Sequence, residues 1–299
     1  MSLTWTFRAL VLLLASCPSM TAGAAVFEVA EPDARYPIPR QIRFGFTARN
    51  ETNHPNEKGE LWAYAPVRQN ATQKCLRIET SHPCELAVDG LGNQVLHFTF
   101  EKLTPFSTKL VAIRADLLLS EAPNPPGPPN PERFLVPESQ VEADHPEILK
   151  LATELKAETP GETAKRIFDW VAGKVRYAGY LREDRGALYA LRNRSGDCTE
   201  YMSLFVALCR ASGIPARGIA GYVSGESAVL KPADFHNWAE FWAAGSWRVA
   251  DPQRKVFDAS RADYIALAVL SDRKEEAIPR GHRFRARGER LVGRMGDGT

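Results

Sequence analysis

Residues 195–217 read SGDCTEYMSLFVALCRASGIPAR, and the fold turns on whether this stretch is one helix with a reactive start. Asp197 followed by Glu200 is the D-x-x-E form of a capping box, which satisfies free N–H groups of a first helical turn. Met202, Phe205 and Cys209, with Leu204 and Leu208, then give apolar spacings of three and four, the period of a helix with a buried face. Gly213, Ile214 and Pro215 end it. Cys198 falls at the first helical position, where unpaired N–H groups and the helix dipole favour an anion. The spacing therefore predicts a thiol inclined towards thiolate. Cys209 lies about 16 Å further along the axis at ~1.5 Å per residue, so the two cannot bridge within one helix. It reads as a small apolar filler of the core.

The 299 residues allow one large or two ordinary domains, and at 44% hydrophobic they can bury a sizeable core. A net charge of +2 gives no general reason to expect a nucleic-acid partner. Residues 1–24 read as an export signal: Arg8 precedes an apolar run from Ala9 to Ala15, and Ala22-Gly23-Ala24 is a small-x-small cleavage site. The run is too short to span a bilayer, which takes about 20 apolar residues. Leu14 to Cys17, LASC, also resembles a bacterial lipoprotein box, which would leave Cys17 as an acylated N-terminus holding the chain to a membrane. Both routes lead to an exported protein, in the bacterial periplasm, facing an oxidising compartment.

Residues 25–120 alternate in short segments broken by turns, the pattern of an antiparallel sandwich. Ile42, Phe44 and Phe46 share a face, as do Leu76 and Ile78, Leu96, Phe98 and Phe100, and Val111, Ile113 and Ala115. Cys75 and Cys84 flank a turn-prone Ser-His-Pro and are expected to form a disulfide. A metal site from Cys75, His82, Cys84 and His97 lacks any C-x-x-C or H-x-x-x-H spacing, so no metal or other cofactor is expected. A proline-rich linker follows at 121–135, and 136–299 reads as a second, catalytic domain. Asp144-His-Pro-Glu147 and Thr159-Pro-Gly-Glu162 begin helices there. Strands are expected at 217–223, 237–243 and 247–250, with Ala243 to Ser246 as a hairpin turn. The arginine-rich tail after Ser271 reads as a closing hairpin.

A cysteine nucleophile needs a base and a group to orient that base. His236 opens the first strand of the expected hairpin and Asp251 closes the second, so folding brings them to the same end. Taken singly, such a histidine is usually an ordinary hydrogen-bonded residue and such an Asp-Pro a turn; the combination changes the reading. Asn237 points to the opposite face of its strand. The blocks GDCTEYMSLFVALCRASGIPAR, HNWAEFW and WRVADP, in that order, resemble the transglutaminase-like superfamily of cysteine enzymes. The resemblance implies an α+β, papain-like core, here preceded by a β-sandwich-like domain. It implies Cys198 as nucleophile, His236 as base and Asp251 as orienting acid, with Tyr177 or Tyr180 near the oxyanion. The implied activity is thioester chemistry on a protein or peptide substrate, either hydrolysis of a peptide or carboxamide bond, which the exported setting favours, or transfer to an amine that crosslinks. A non-catalytic binding module is the rival reading.

Overall fold

Alternating apolar residues build the first half of the chain into strands β1 (Ala25–Glu28), β2 (Ile38–Asn50), β3 (Asn56–Ala65), β4 (Gln73–Thr80), β5 (Glu85–Val88), β6 (Gln94–Leu103) and β7 (Thr108–Leu119). The computed structural model describes residues 24–125, 130–258, 262–272 and 277–296; the apolar leader, Cys17 and the centre of the proline-rich linker lie outside them. In one sheet the order is β1-β4-β7-β2 and in the other β3-β6-β5, each pair antiparallel. Ile42, Phe44 and Phe46, Leu96, Phe98 and Phe100, and Val111, Ile113 and Ala115 are all buried, as period-two alternation requires. Leu76 and Ile78 do not share the core face. A bulge between Cys75 and Arg77 shifts the register, so Cys75 and Ile78 turn inward while Leu76 stays partly exposed.

The expected disulfide is absent: Cys75 and Cys84 are free thiols. Cys84 lies beside Thr80, its Sγ 3.6 Å from the Thr80 hydroxyl at the far end of β4. Cys75 is five residues back along that strand, roughly 16 Å away at ~3.3 Å per residue, beyond the reach of a disulfide.

The second half runs α1 (Pro146–Leu155), α2 (Pro160–Lys174), β8 (Arg176–Tyr177), α3 (Gly186–Asn193), β9 (Ser195–Gly196), α4 (Cys198–Ala211), β10 (Ala216–Val223), β11 (Ala228–Val229), β12 (Phe235–Ala243), β13 (Ser246–Asp251), β14 (Val256–Phe257), β15 (Tyr264–Leu270), β16 (Phe284–Arg287) and β17 (Leu291–Met295). A third antiparallel sheet takes the order β14-β13-β12-β10-β15. Helix α4 packs on it, with Phe205 edge-on to Phe241 at 6.0 Å. The fold is thus α+β, with a papain-like core beside the sandwich. The β12–β13 turn forms where expected. Ala244 and Gly245 both take positive φ, 50° and 76°, as a two-residue turn matched to strand twist demands.

The two halves share one apolar core. The free edge of β15 is covered by side-chain amides of the sandwich, each acting as a strand would. Gln73 accepts from Ala266 N–H at 2.8 Å and donates to its carbonyl at 3.0 Å, and Asn93 does the same to Val269 at 2.7 and 3.0 Å. The tail is not a hairpin, and it leaves the second half to join the first. Strand β16 pairs with β3 and β17 with β2, one in each sheet, while β11 adds to β2 in parallel. Division of the chain into 25–120 and 136–299 therefore assigns β11, β16 and β17 to sequence neighbours and not to the sheets they complete.

Candidate active site

The start of α4 is locked by its own sequence. Asp197 Oδ1 accepts the Thr199 N–H at 2.8 Å, and Glu200 Oε2 reaches back to the Asp197 N–H at 3.0 Å, completing the expected capping box. The remaining oxygens hold the preceding loop: Asp197 Oδ2 accepts from Leu181 N at 2.9 Å and Glu200 Oε1 from Arg185 N at 2.9 Å. Gly196 is required here, because a Cβ would lie 2.3 Å from Glu200 Cβ. Burial pushes the Glu200 carboxyl up to about 7.

Cys198 is therefore fixed at the first helical position, half-buried. Its thiol is not inclined to ionise as the helix start alone suggests. Burial, and then the neighbouring Asp197 carboxylate, push it up to about 12; hydrogen bonding from the Asn237 N–H and the Thr199 hydroxyl acts the other way. Burial is the largest of these causes and favours the S–H form. Cys209, fully buried three turns on, is pushed well above the usual thiol range by burial and takes no part.

The β12–β13 hairpin brings His236 and Asp251 together, with Nε2 2.6 Å from Oδ2. Both are buried. A carboxylate can only accept, so Nε2 carries a proton, and in the neutral ring the lone pair is then at Nδ1. Both Asp251 oxygens are engaged: Oδ2 also accepts the Tyr264 hydroxyl at 2.9 Å, and Oδ1 the Arg254 N–H at 3.1 Å. Burial and then Asp251 hold the Tyr264 hydroxyl far above its usual range, which keeps it a donor. Tyr264 belongs to an apolar run, YIALAVL, that offers no strand-or-helix signal and no motif, and sequence reasoning passed over it.

Trp238 and Glu240 of HNWAEFW serve packing. Trp238 stacks beside the His236 ring, 6.4 Å between centroids, and edge-on to Tyr264 at 5.0 Å. Gly221 admits it, since a Cβ there would meet Trp238 at 2.8 Å and the Ile265 carbonyl oxygen at 2.1 Å. Glu240 is bound at 2.6 and 2.8 Å by Arg217, whose guanidinium lies over Trp247 at 4.1 Å.

Cys198 lies between two cavities. One, of about 350 Å³, is lined by Cys198, His236, Phe235, Tyr177 and Arg254. The other, of about 1260 Å³, is lined by Cys198, Thr199, Asn237, Tyr180 and Arg283. Of the two tyrosines expected near an oxyanion, Tyr177 thus shares a cavity with both Cys198 and His236, while Tyr180 lines the other and is 80% exposed. The arrangement offers a thiol, a base with a free lone pair held by a carboxylate, and room for substrate on both sides.

Residues 149–252 match the transglutaminase-like superfamily. The protein-glutamine gamma-glutamyltransferase of Pseudomonas aeruginosa is 34% identical over 107 residues, covering 29% of this chain and 16% of the relative, so the match is to a small part of a much longer protein. Among solved structures, a candidate cysteine protease from Cytophaga hutchinsonii superposes with a TM-score of 0.58 at 20% identity, over 87% of this chain and 92% of that one. It shares the architecture of both halves. The periplasmic domain of TgpA from Pseudomonas aeruginosa, bound to ethylmercury, has a TM-score of 0.39 at 19% identity, over 71% and 90% of the two chains.

Proposed function

We propose that the chain is an exported cysteine hydrolase that cleaves peptide or carboxamide bonds through a thioester on Cys198, with His236 as base and Asp251 as orienting acid. The observation that carries this is His236, held by Asp251 at 2.6 Å, lining the same cavity as Cys198 at the first position of α4. Because the thiol rests protonated, the base acts during attack. His236 Nδ1 takes the Sγ proton as the S–C bond forms, and the Cys198 backbone N–H faces the developing oxyanion. The C–N bond then breaks and the proton passes to the leaving amine. Water, deprotonated by His236, attacks the thioester, the S–C bond breaks, and the sulfur recovers a proton.

Attack by an amine in place of water would give a crosslink, and the name of the Pseudomonas aeruginosa relative favours that second reading. The leader-like residues 1–24 support export. A peptide-library digest with labelled primary amine present, run on the purified protein and on Cys198→Ala, tests the proposal. Cleavage lost in the variant supports the hydrolase; amine incorporation in place of cleavage supports transfer. Neither, with intact fold, leaves a binding module.

A further inference from the structure

Beside the sulfur stands a polar side chain that the mechanism above does not use. Asn237, next to His236 on β12, is 6% exposed and lines the larger cavity together with Cys198 and Thr199. Its Nδ2 donates to the Thr199 Oγ1 at 2.9 Å, while its Oδ1 is buried with no donor among the described residues. The NH₂ end of the carboxamide is thus engaged by the Thr199 oxygen. Oδ1 is left as the unsatisfied end. A buried acceptor without a donor is costly and is retained where something fills it.

Resting on the Cys198 thioester reading, we propose that Asn237 is a substrate-positioning residue whose Oδ1 accepts the N–H of the amide under attack. The substrate class is thereby narrowed to amides that bear an N–H. Esters and N-substituted tertiary amides, including bonds to proline, cannot make the contact. The backbone N–H of the same residue is among the groups that favour the Cys198 thiolate, so one residue would bear on nucleophile and substrate alike.

The test alkylates Cys198 with N-methyl-2-iodoacetamide and with methyl iodoacetate, near-isosteres that differ in N–H against O. Rates are read by peptide mass spectrometry, and the amide-to-ester ratio is referenced to that of glutathione. A change in sulfur reactivity moves both rates and leaves the ratio alone. The wild-type ratio should exceed that of glutathione about tenfold, the worth of one hydrogen bond of roughly 1.4 kcal/mol. Asn237→Ala should fall to the glutathione value, and Asn237→Asp, which keeps an acceptor, should retain most of the preference. A wild-type ratio equal to that of glutathione, or an Asn237→Ala ratio equal to wild type, overturns the proposal. The first of these needs no variant to fold. Failure of Cys198 to alkylate at all, while Cys84 does, overturns the catalytic reading beneath it.

Discussion

Replacing Asp251 with Asn changes one atom and confronts three donors. Asp251 accepts from His236 and Tyr264 at Oδ2 and from the Arg254 N–H at Oδ1. Asparagine has one acceptor oxygen and cannot serve both sides. With its oxygen in the Oδ2 position, the NH₂ faces the Arg254 N–H, so that partly buried hydrogen bond is lost, and the charge that supports an imidazolium is gone. With the NH₂ in the Oδ2 position, His236 must offer a lone pair at Nε2, so its proton moves to Nδ1 and the base can no longer take the thiol proton. Either way the fold should survive, with a loss of several degrees in Tm at about 2–4 °C per kcal/mol. Proton transfer should slow by roughly 10²–10⁴-fold. No substrate is needed to check this. The alkylation rate of Cys198 by iodoacetamide reports proton transfer, and ¹⁵N NMR of the histidines reports the His236 tautomer. An Asp251→Asn protein that alkylates Cys198 at the wild-type rate, with Nε2 still protonated, would show that Asp251 does not orient the base.

Tyr264→Phe removes one of two donors on Oδ2 and should slow Cys198 alkylation less than Asp251→Asn does, roughly tenfold or under; a loss as large as that of Asp251→Asn would make Tyr264 a principal group. Glu200 gives a pH signature: its carboxyl is raised from 4.5 to about 7 by burial, so the fold holds this proton more tightly than the unfolded chain. Stability should therefore fall by about 3 kcal/mol as pH rises from about 4.5 to about 7 and level off above, at 1.36 kcal/mol per pH unit. Glu200→Gln should lose that slope while paying a constant offset for one missing acceptor; urea unfolding at pH 5 and pH 8 with equal slopes in both proteins would refute it. Non-reducing peptide mapping should recover Cys75 and Cys84 as free thiols, both slow to label in the folded state because burial pushes them up to about 12 and about 11. Cys198 should label slowly at pH 6 and faster as pH rises towards 9, with Cys209 reacting only after unfolding; rapid labelling of Cys198 at pH 6 would mean a preformed thiolate.

Local signals carried most of the site. The D-x-x-E box, the alternation of the sandwich strands and the AAGS turn each depend on residues a few positions apart, and each forms as read. The hairpin then brought His236 to Asp251 because strand pairing converts sequence order into register. What escaped was set at long range. The ionisation of Cys198 follows from desolvation by the packed cleft, which helix position does not encode. The bulge after Cys75 turns Leu76 off the core face, and Cys84 docks beside Thr80, five residues along β4 from Cys75. Strand β15 reads as a uniform apolar run because its two faces are both covered, and its partners Gln73 and Asn93 lie more than a hundred residues upstream. The tail alternates like a hairpin, yet its two strands pair with different sheets.

The most direct measurement is the rate at which a peptidyl chloroacetamide alkylates the protein, mapped to residue and compared between wild type and His236→Ala. If His236 takes the proton from Cys198, the adduct is on Cys198 and the rate drops by about 10²-fold or more in the variant. An adduct on another cysteine, or an unchanged rate in His236→Ala, would contradict the pairing of these two residues as nucleophile and base.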